Sequence, residues 1–199
     1  MGVKHRHYGY FTARFEEALV YATRLHNGQS RKGTEIPYLA HLLAVTALVI
    51  EWGGDEDMAI AALLHDAVED QGGLETLADI RRRFGERVAV IVDGCTDSYK
   101  IPKLPWKQRK EAYISKLGTE SADVRLVSLA DKLHNARSIL NDLRQNGITA
   151  FDRFNGGMEG TLWYYRTLVK AFQELEDKPQ VAELARLVAE IERLAGQGQ

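Results

Sequence analysis

One cysteine, four prolines and the lack of any long apolar run set the first limits on this chain of 199 residues. With Cys95 alone no intramolecular disulfide can form, and a small buried side chain is its expected state. Residues 1–10 carry no apolar leader, so the expected compartment is a reducing cytoplasm. No apolar stretch approaches the roughly 18 to 20 residues of a membrane span, which predicts a soluble chain without a membrane partner. Neither sign of charge prevails, since 26 Lys and Arg face 28 Asp and Glu for a formal net charge of −2. DNA binding is disfavoured, because the positive field it needs is missing. Apolar residues, by contrast, make up 45% of the chain, enough to bury an ordinary core. One domain over 1–199 is expected, with a core of about 11–145 and C-terminal helices of about 158–195.

Apolar side chains recur at spacings of three and four, as at Phe11, Phe15, Ala18, Leu19, Ala22 and Leu25, which is the stripe of an amphipathic helix. The same habit predicts helices over 39–50, 74–84, 106–117, 123–143, 160–175 and 181–194, with residues 196–199 frayed. The run 58–68 is almost wholly apolar and predicts one buried helix, started by Asp55. Residues 88–92 are β-branched enough for a strand, but no alternating partner exists elsewhere, so a helix is predicted there too. Between Asp97 and Trp106, two prolines and two lysines predict a long surface loop. The fold class is all-α, with about eight or nine helices and no internal repeat.

Four ionisable residues crowd the end of the apolar run: His65, Asp66, Glu69 and Asp70. Burying them unpaired would be costly. On a continuous helix His65 and Glu69 share a face, with Asp66 and Asp70 about 100° away, so the four can converge on one pocket. Alone, a His-Asp pair would more often be a solvated helix end. His41 and Asp131, each on another apolar helical segment, change that balance: two imidazoles and two carboxylates suit a divalent cation such as Mn²⁺, Fe²⁺ or Mg²⁺. No thiolate is at hand for a structural zinc site.

The order His41, His65-Asp66, Asp131 resembles the signature of HD-domain phosphohydrolases. Adding Arg31-Lys32-Gly33, Pro37-Tyr38, Glu69-Asp70, Phe84-Gly85 and the run from Leu129 to Asn135, the chain is similar to the hydrolase domain of RelA/SpoT-type alarmone enzymes. Too few residues follow Leu143 for a synthetase domain, so the chain resembles the stand-alone small alarmone hydrolases. Leu42 and Gln71 depart from the family's usual Pro and Thr. The resemblance implies a helical fold, one Mn²⁺ held by His41, His65, Asp66 and Asp131, and hydrolytic removal of the 3′-pyrophosphate of (p)ppGpp.

By the same resemblance Glu69 and Asp70 are the catalytic pair, positioning or deprotonating the attacking water; Asp70 could instead orient a ligand histidine. Arg31, Lys32, Tyr38 and Asn135 are the expected substrate-binding residues, for a small-molecule nucleotide. No histidine lies between Asp66 and Asp131, so a single metal is expected. Trp106 and the Trp163-Tyr164-Tyr165 run are expected to pack the core. Two other readings share the motifs: an HD enzyme for another nucleotide (an adenosine alarmone, a deoxynucleotide or NADPH), and a non-catalytic nucleotide sensor. Base preference and oligomeric state are left open.

Overall fold

The structure, a computed structural model, describes residues 11–99, 104–175 and 178–197. The expectations for residues 1–10, for the middle of the 97–106 loop and for the last two residues lie outside that set.

The chain begins with α1 (Ala13–Leu25), where Thr12 caps the first turn, and α2 (Leu39–Glu51). Asp55 then accepts the Met58 N–H at 3.1 Å to start α3 (Glu56–Leu64). Such a cap satisfies an amide that the helix cannot pair, and Glu56 and Asp57 in the first turn suit its dipole. Every residue from Met58 to Leu64 is buried, so α3 is the centre on which α1, α2 and α6 (Glu86–Cys95) pack.

A break follows. The predicted helix over 58–68 is two: α3 ends at Leu64, and a single turn, α4 (Ala67–Asp70), starts after Asp66. The apolar pattern reports burial and is blind to this interruption of the backbone ladder. The chain continues through α5 (Gly73–Phe84) into α6. In α6 the ambiguous 88–92 segment is helical because Val88, Ala89, Ile91 and Val92 face the core while Val90 is exposed, the three-four spacing of a helix.

After α7 (Trp106–Leu117) comes the spine of the fold, α8 (Ala122–Asn146), capped by the Ser121 side chain on the Val124 N–H. Gly147, at φ +62°, ends it where a side chain would be strained. A short 3-10 turn (Gly147–Phe151) leads to α9 (Gly157–Leu175) and α10 (Pro179–Gln197). Residues 196 and 197, expected to fray, are helical. Helix α10 lies along α8, α9 packs on α10 and α7, and α8 also touches α2, α3 and α6. Ten α-helices and no strand are present among the described residues, apart from an isolated bridge between Ser30 and Pro37. None of these helices is long and apolar enough to cross a membrane.

Candidate metal centre

Three buried elements deliver the ligand-type side chains. His41 comes from the first turn of α2, His65 and Asp66 from the α3–α4 break, and Asp131 from the middle of α8. His65 Nε2 lies 3.0 Å from Asp66 Oδ2 and 3.6 Å from Asp131 Oδ1. His41 Nε2 lies 3.2 Å from Asp131 Oδ1 and 3.6 Å from Asp66 Oδ2. Ligand atoms around one cation with bonds of about 2.1 Å sit about 3.0 to 3.4 Å from one another; two of these spacings fall in that range and two lie just beyond it at 3.6 Å, while the ligand atoms of His41, His65 and Asp66 all lie within 4.8 Å of one another.

The imidazole nitrogens supply an independent test. His65 Nδ1 donates to the Ala62 carbonyl at 2.8 Å, an atom that only accepts, so a neutral ring leaves Nε2 bare. His41 Nδ1 meets His134 Nδ1 at 2.8 Å, again leaving Nε2 for the site. Both Nε2 atoms are buried without a hydrogen-bond partner. Buried polar atoms are seldom left that way, and a cation answers both. Burial alone would lower the His65 pKa, yet Asp66 and Asp131 raise it well above the usual value. Against the upward push of burial, His65 and His41 hold the Asp66 carboxyl, and Lys132 together with the same two histidines holds the Asp131 carboxyl, well below the usual carboxylate range. Opposed charges this tightly packed mark a place for positive charge. His41, His65, Asp66 and Asp131 thus fit a divalent ion.

A surrounding set of contacts fixes the ligands. The Tyr38 hydroxyl donates to Asp66 Oδ2, so the tyrosine expected to hold substrate also orients a ligand carboxylate. Asn135 Nδ2 and Lys132 Nζ donate to the two oxygens of Asp131, each at 2.5 Å. His134, which sequence reasoning left without a role, holds His41; burial and neighbouring His41 push its pKa down to about 4, which keeps it neutral and able to accept. Its only sequence signal is its place three residues after Asp131, on nearly the same face of a helix.

Beside the ligands lies a cavity of about 350 Å³. Arg31, Lys32, Tyr38, Asn135 and Glu69 line it, whereas Asp70 does not. Asp70 is exposed and accepts a 2.8 Å hydrogen bond from Gln29. Arg31 donates to Asn135 Oδ1 at 2.7 Å and lies over the Tyr38 ring, while Lys32 reaches Asn155 Oδ1 at 2.6 Å. The far wall holds Arg153, Tyr164 and Tyr165, and the buried Asp97 with Arg109 and Lys110. Cys95 also borders the cavity, and burial pushes its thiol up to about 11, so it is inert at neutral pH. Trp106 packs against Trp163 and over Gly156 and Gly160, the anchoring role expected of it.

Residues 18–153 match the HD domain model. The chain belongs to the HD-domain family. This HD-domain chain is 37% identical over 130 residues to the human guanosine-3′,5′-bis(diphosphate) 3′-pyrophosphohydrolase MESH1, covering 64% of itself and 70% of that protein. It is 41% identical over 129 residues to a Streptomyces coelicolor GTP pyrophosphokinase, but there the match covers 62% of the chain and 14% of the relative. The HD-domain chain therefore spans a small part of its long relatives and most of the short one. Its fold is similar to that of a solved metazoan ortholog of SpoT, described as hydrolysing ppGpp, with a TM-score of 0.72 and 30% identity over 94% of this chain and 98% of the other. It is also similar to a crystal structure from Listeria monocytogenes, with a TM-score of 0.68 and 33% identity over 77% of this chain and 99% of the other.

Proposed function

We propose that the chain hydrolyses the 3′-pyrophosphate of purine alarmones such as (p)ppGpp, releasing pyrophosphate. The observation that carries this reading is the pair of bare, buried Nε2 atoms on His41 and His65, facing two carboxylates at the edge of a cavity with basic walls. Similarity to MESH1 over 70% of its length supports the same substrate class.

In this reading His41, His65, Asp66 and Asp131 would hold one Mn²⁺, which would supply Lewis acidity towards the phosphoryl group. Glu69 takes the proton of the attacking water, its carboxylate lying in the cavity wall. Asp70, next in the chain and held by Gln29, supports Glu69 without facing the cavity. Arg31 stacks on the purine, as it does on Tyr38 here, and Asn135 and Lys32 hold ribose and phosphate oxygens. Tyr38 closes the site between Arg31 and Asp66. We place this activity in the cytoplasm, consistent with the single unpaired cysteine, and without DNA as a partner, consistent with the near-zero net charge.

The test is direct. Pure chain is incubated with Mn²⁺ and 3′-pyrophosphorylated guanosine and adenosine nucleotides, and released pyrophosphate is measured. Metal-dependent release from one or both is expected, and Glu69→Gln should abolish it while Mn²⁺ still binds. No release from any of these nucleotides would overturn the reading; in that case metal and nucleotide binding without turnover would point to the sensor.

A further inference from the structure

Asp97, with a side chain only 4% exposed, sits between two cations in the cavity wall. Arg109 Nη1 reaches its Oδ1 at 2.5 Å and its Oδ2 at 2.7 Å, and Lys110 Nζ reaches Oδ2 at 2.6 Å. Burial would raise the Asp97 carboxyl, but Lys110 and Arg109 outweigh it and hold it below the usual range. The same Arg109 Nη1 lies 3.8 Å from Glu69 Oε1. All four residues line the cavity that Asp66 and Asp131 border. One buried carboxylate facing two cations is more positive charge than a structural pair requires, and the surplus is directed at Glu69.

We propose that Arg109 is a further catalytic residue, binding the pyrophosphoryl group as it passes to water, and that Asp97 positions it. The proposal rests on the hydrolase reading above. In the step, the water oxygen bonds to the phosphorus attached to the 3′ oxygen. The bond between that phosphorus and the 3′ oxygen breaks, and its electron pair stays on the 3′ oxygen. The proton lost by water passes to Glu69 and ends on the 3′ oxygen, giving a 3′-hydroxyl nucleotide and pyrophosphate. While Glu69 carries the proton it no longer offsets Arg109. The charge balance of the wall, two carboxylates against Arg109 and Lys110, then shifts by one towards positive as the phosphoryl oxygens need it. A fixed cation in a site screened from water is worth far more than one at the surface. The anchoring by Asp97 keeps the guanidinium plane in place without reorganisation.

The experiment uses the full chain with Mn²⁺ and ppGpp, comparing wild type with Arg109→Ala, Arg109→Lys and Asp97→Asn. Arg109→Ala should lose about a hundredfold or more in kcat while KM moves by no more than a few fold. Millimolar guanidinium ion should restore part of that rate and leave the wild type unimproved. Arg109→Lys, which keeps the charge but not the fork, should fall between the two. Asp97→Asn should lose about tenfold in kcat, with no rescue by guanidinium and with Mn²⁺ content unchanged. Wild-type kcat in Arg109→Ala or Arg109→Lys, or a folded Arg109→Ala that guanidinium does not help, would overturn the proposal. If Arg109→Ala does not fold, the comparison of Arg109→Lys with wild type decides it. A wild type that releases no pyrophosphate removes the hydrolase reading and this proposal together, whereas an active wild type beside unimpaired variants removes this proposal alone.

Discussion

His41 can offer a lone pair to a cation only if its other nitrogen is held, and His134 holds it at 2.8 Å. Because burial keeps His134 neutral, its Nδ1 can accept the His41 proton, and the tautomer that faces Nε2 towards Asp66 and Asp131 is selected. Second contacts of this sort are typically worth about ten- to a hundredfold in metal affinity. His134→Ala is therefore expected to weaken Mn²⁺ binding by about that factor, with a melting temperature of the metal-free chain close to wild type. Titration of the purified variant with Mn²⁺ measures it; an unchanged Kd would refute the role. At this scale the gathering of His41, His65, Asp66 and Asp131 was legible, because two imidazoles and two carboxylates on apolar segments are costly to bury unless something of opposite charge meets them. His134 was not, since nothing in a sequence says that it faces an imidazole 93 positions earlier. Nor could sequence show that Tyr38 leans on Asp66, or that Asp70 turns away from the cavity towards Gln29.

The helices themselves were mostly readable, because three-four spacing reflects which face is buried, and burial drives the fold. Phe84 in α5 and Val88 and Ile91 in α6 illustrate it: each is almost wholly buried, and each lies in a segment predicted to be helical. The misplaced element was the break at His65 and Asp66, where apolar residues continue on both sides and only the backbone changes course. The approach of α7 to α9 was also hidden. It depends on two glycines that leave room for an indole: a Cβ on Gly156 would lie 2.7 Å from the Trp106 ring, and one on Gly160 would lie 3.1 Å from it. An aromatic ring wedged between helices yields poorly, so Gly156→Ala is expected to destabilise the fold by about 1 to 3 kcal/mol. Trp106 borders the cavity and Arg109 follows it by one helical turn, so kcat for ppGpp should fall in the same variant. Urea unfolding and steady-state kinetics read the two effects, and a variant as stable as wild type would show that the indole has room to move.

Across the whole molecule, α2, the α3–α4 break and α8 meet at the ligand cluster, so a bound cation ties together segments far apart in sequence. A ligand that binds only the folded chain stabilises it, by about 2.7 kcal/mol at a concentration one hundred times its Kd. Protons compete for the same place. In the metal-free chain His65 is raised above its ordinary value against the opposing push of burial, because Asp66 and Asp131 favour its charged form. The stability it contributes is then fully present below the ordinary histidine pKa and fades as pH rises through the raised one. His26 and His134 run the other way: burial lowers both, so their contribution is present above about pH 6.5 and is lost on acidification, for His134 towards about 4. A ligating imidazole must be neutral, so an Mn²⁺ bound by His65 would displace its proton and supply the positive charge itself. The rise in melting temperature caused by Mn²⁺ should accordingly grow as pH increases from about 6 to about 8 and shrink towards nothing near pH 5. Scanning calorimetry at fixed Mn²⁺ across that range tests this, and an increment that does not depend on pH would mean the ion binds somewhere other than the two imidazoles.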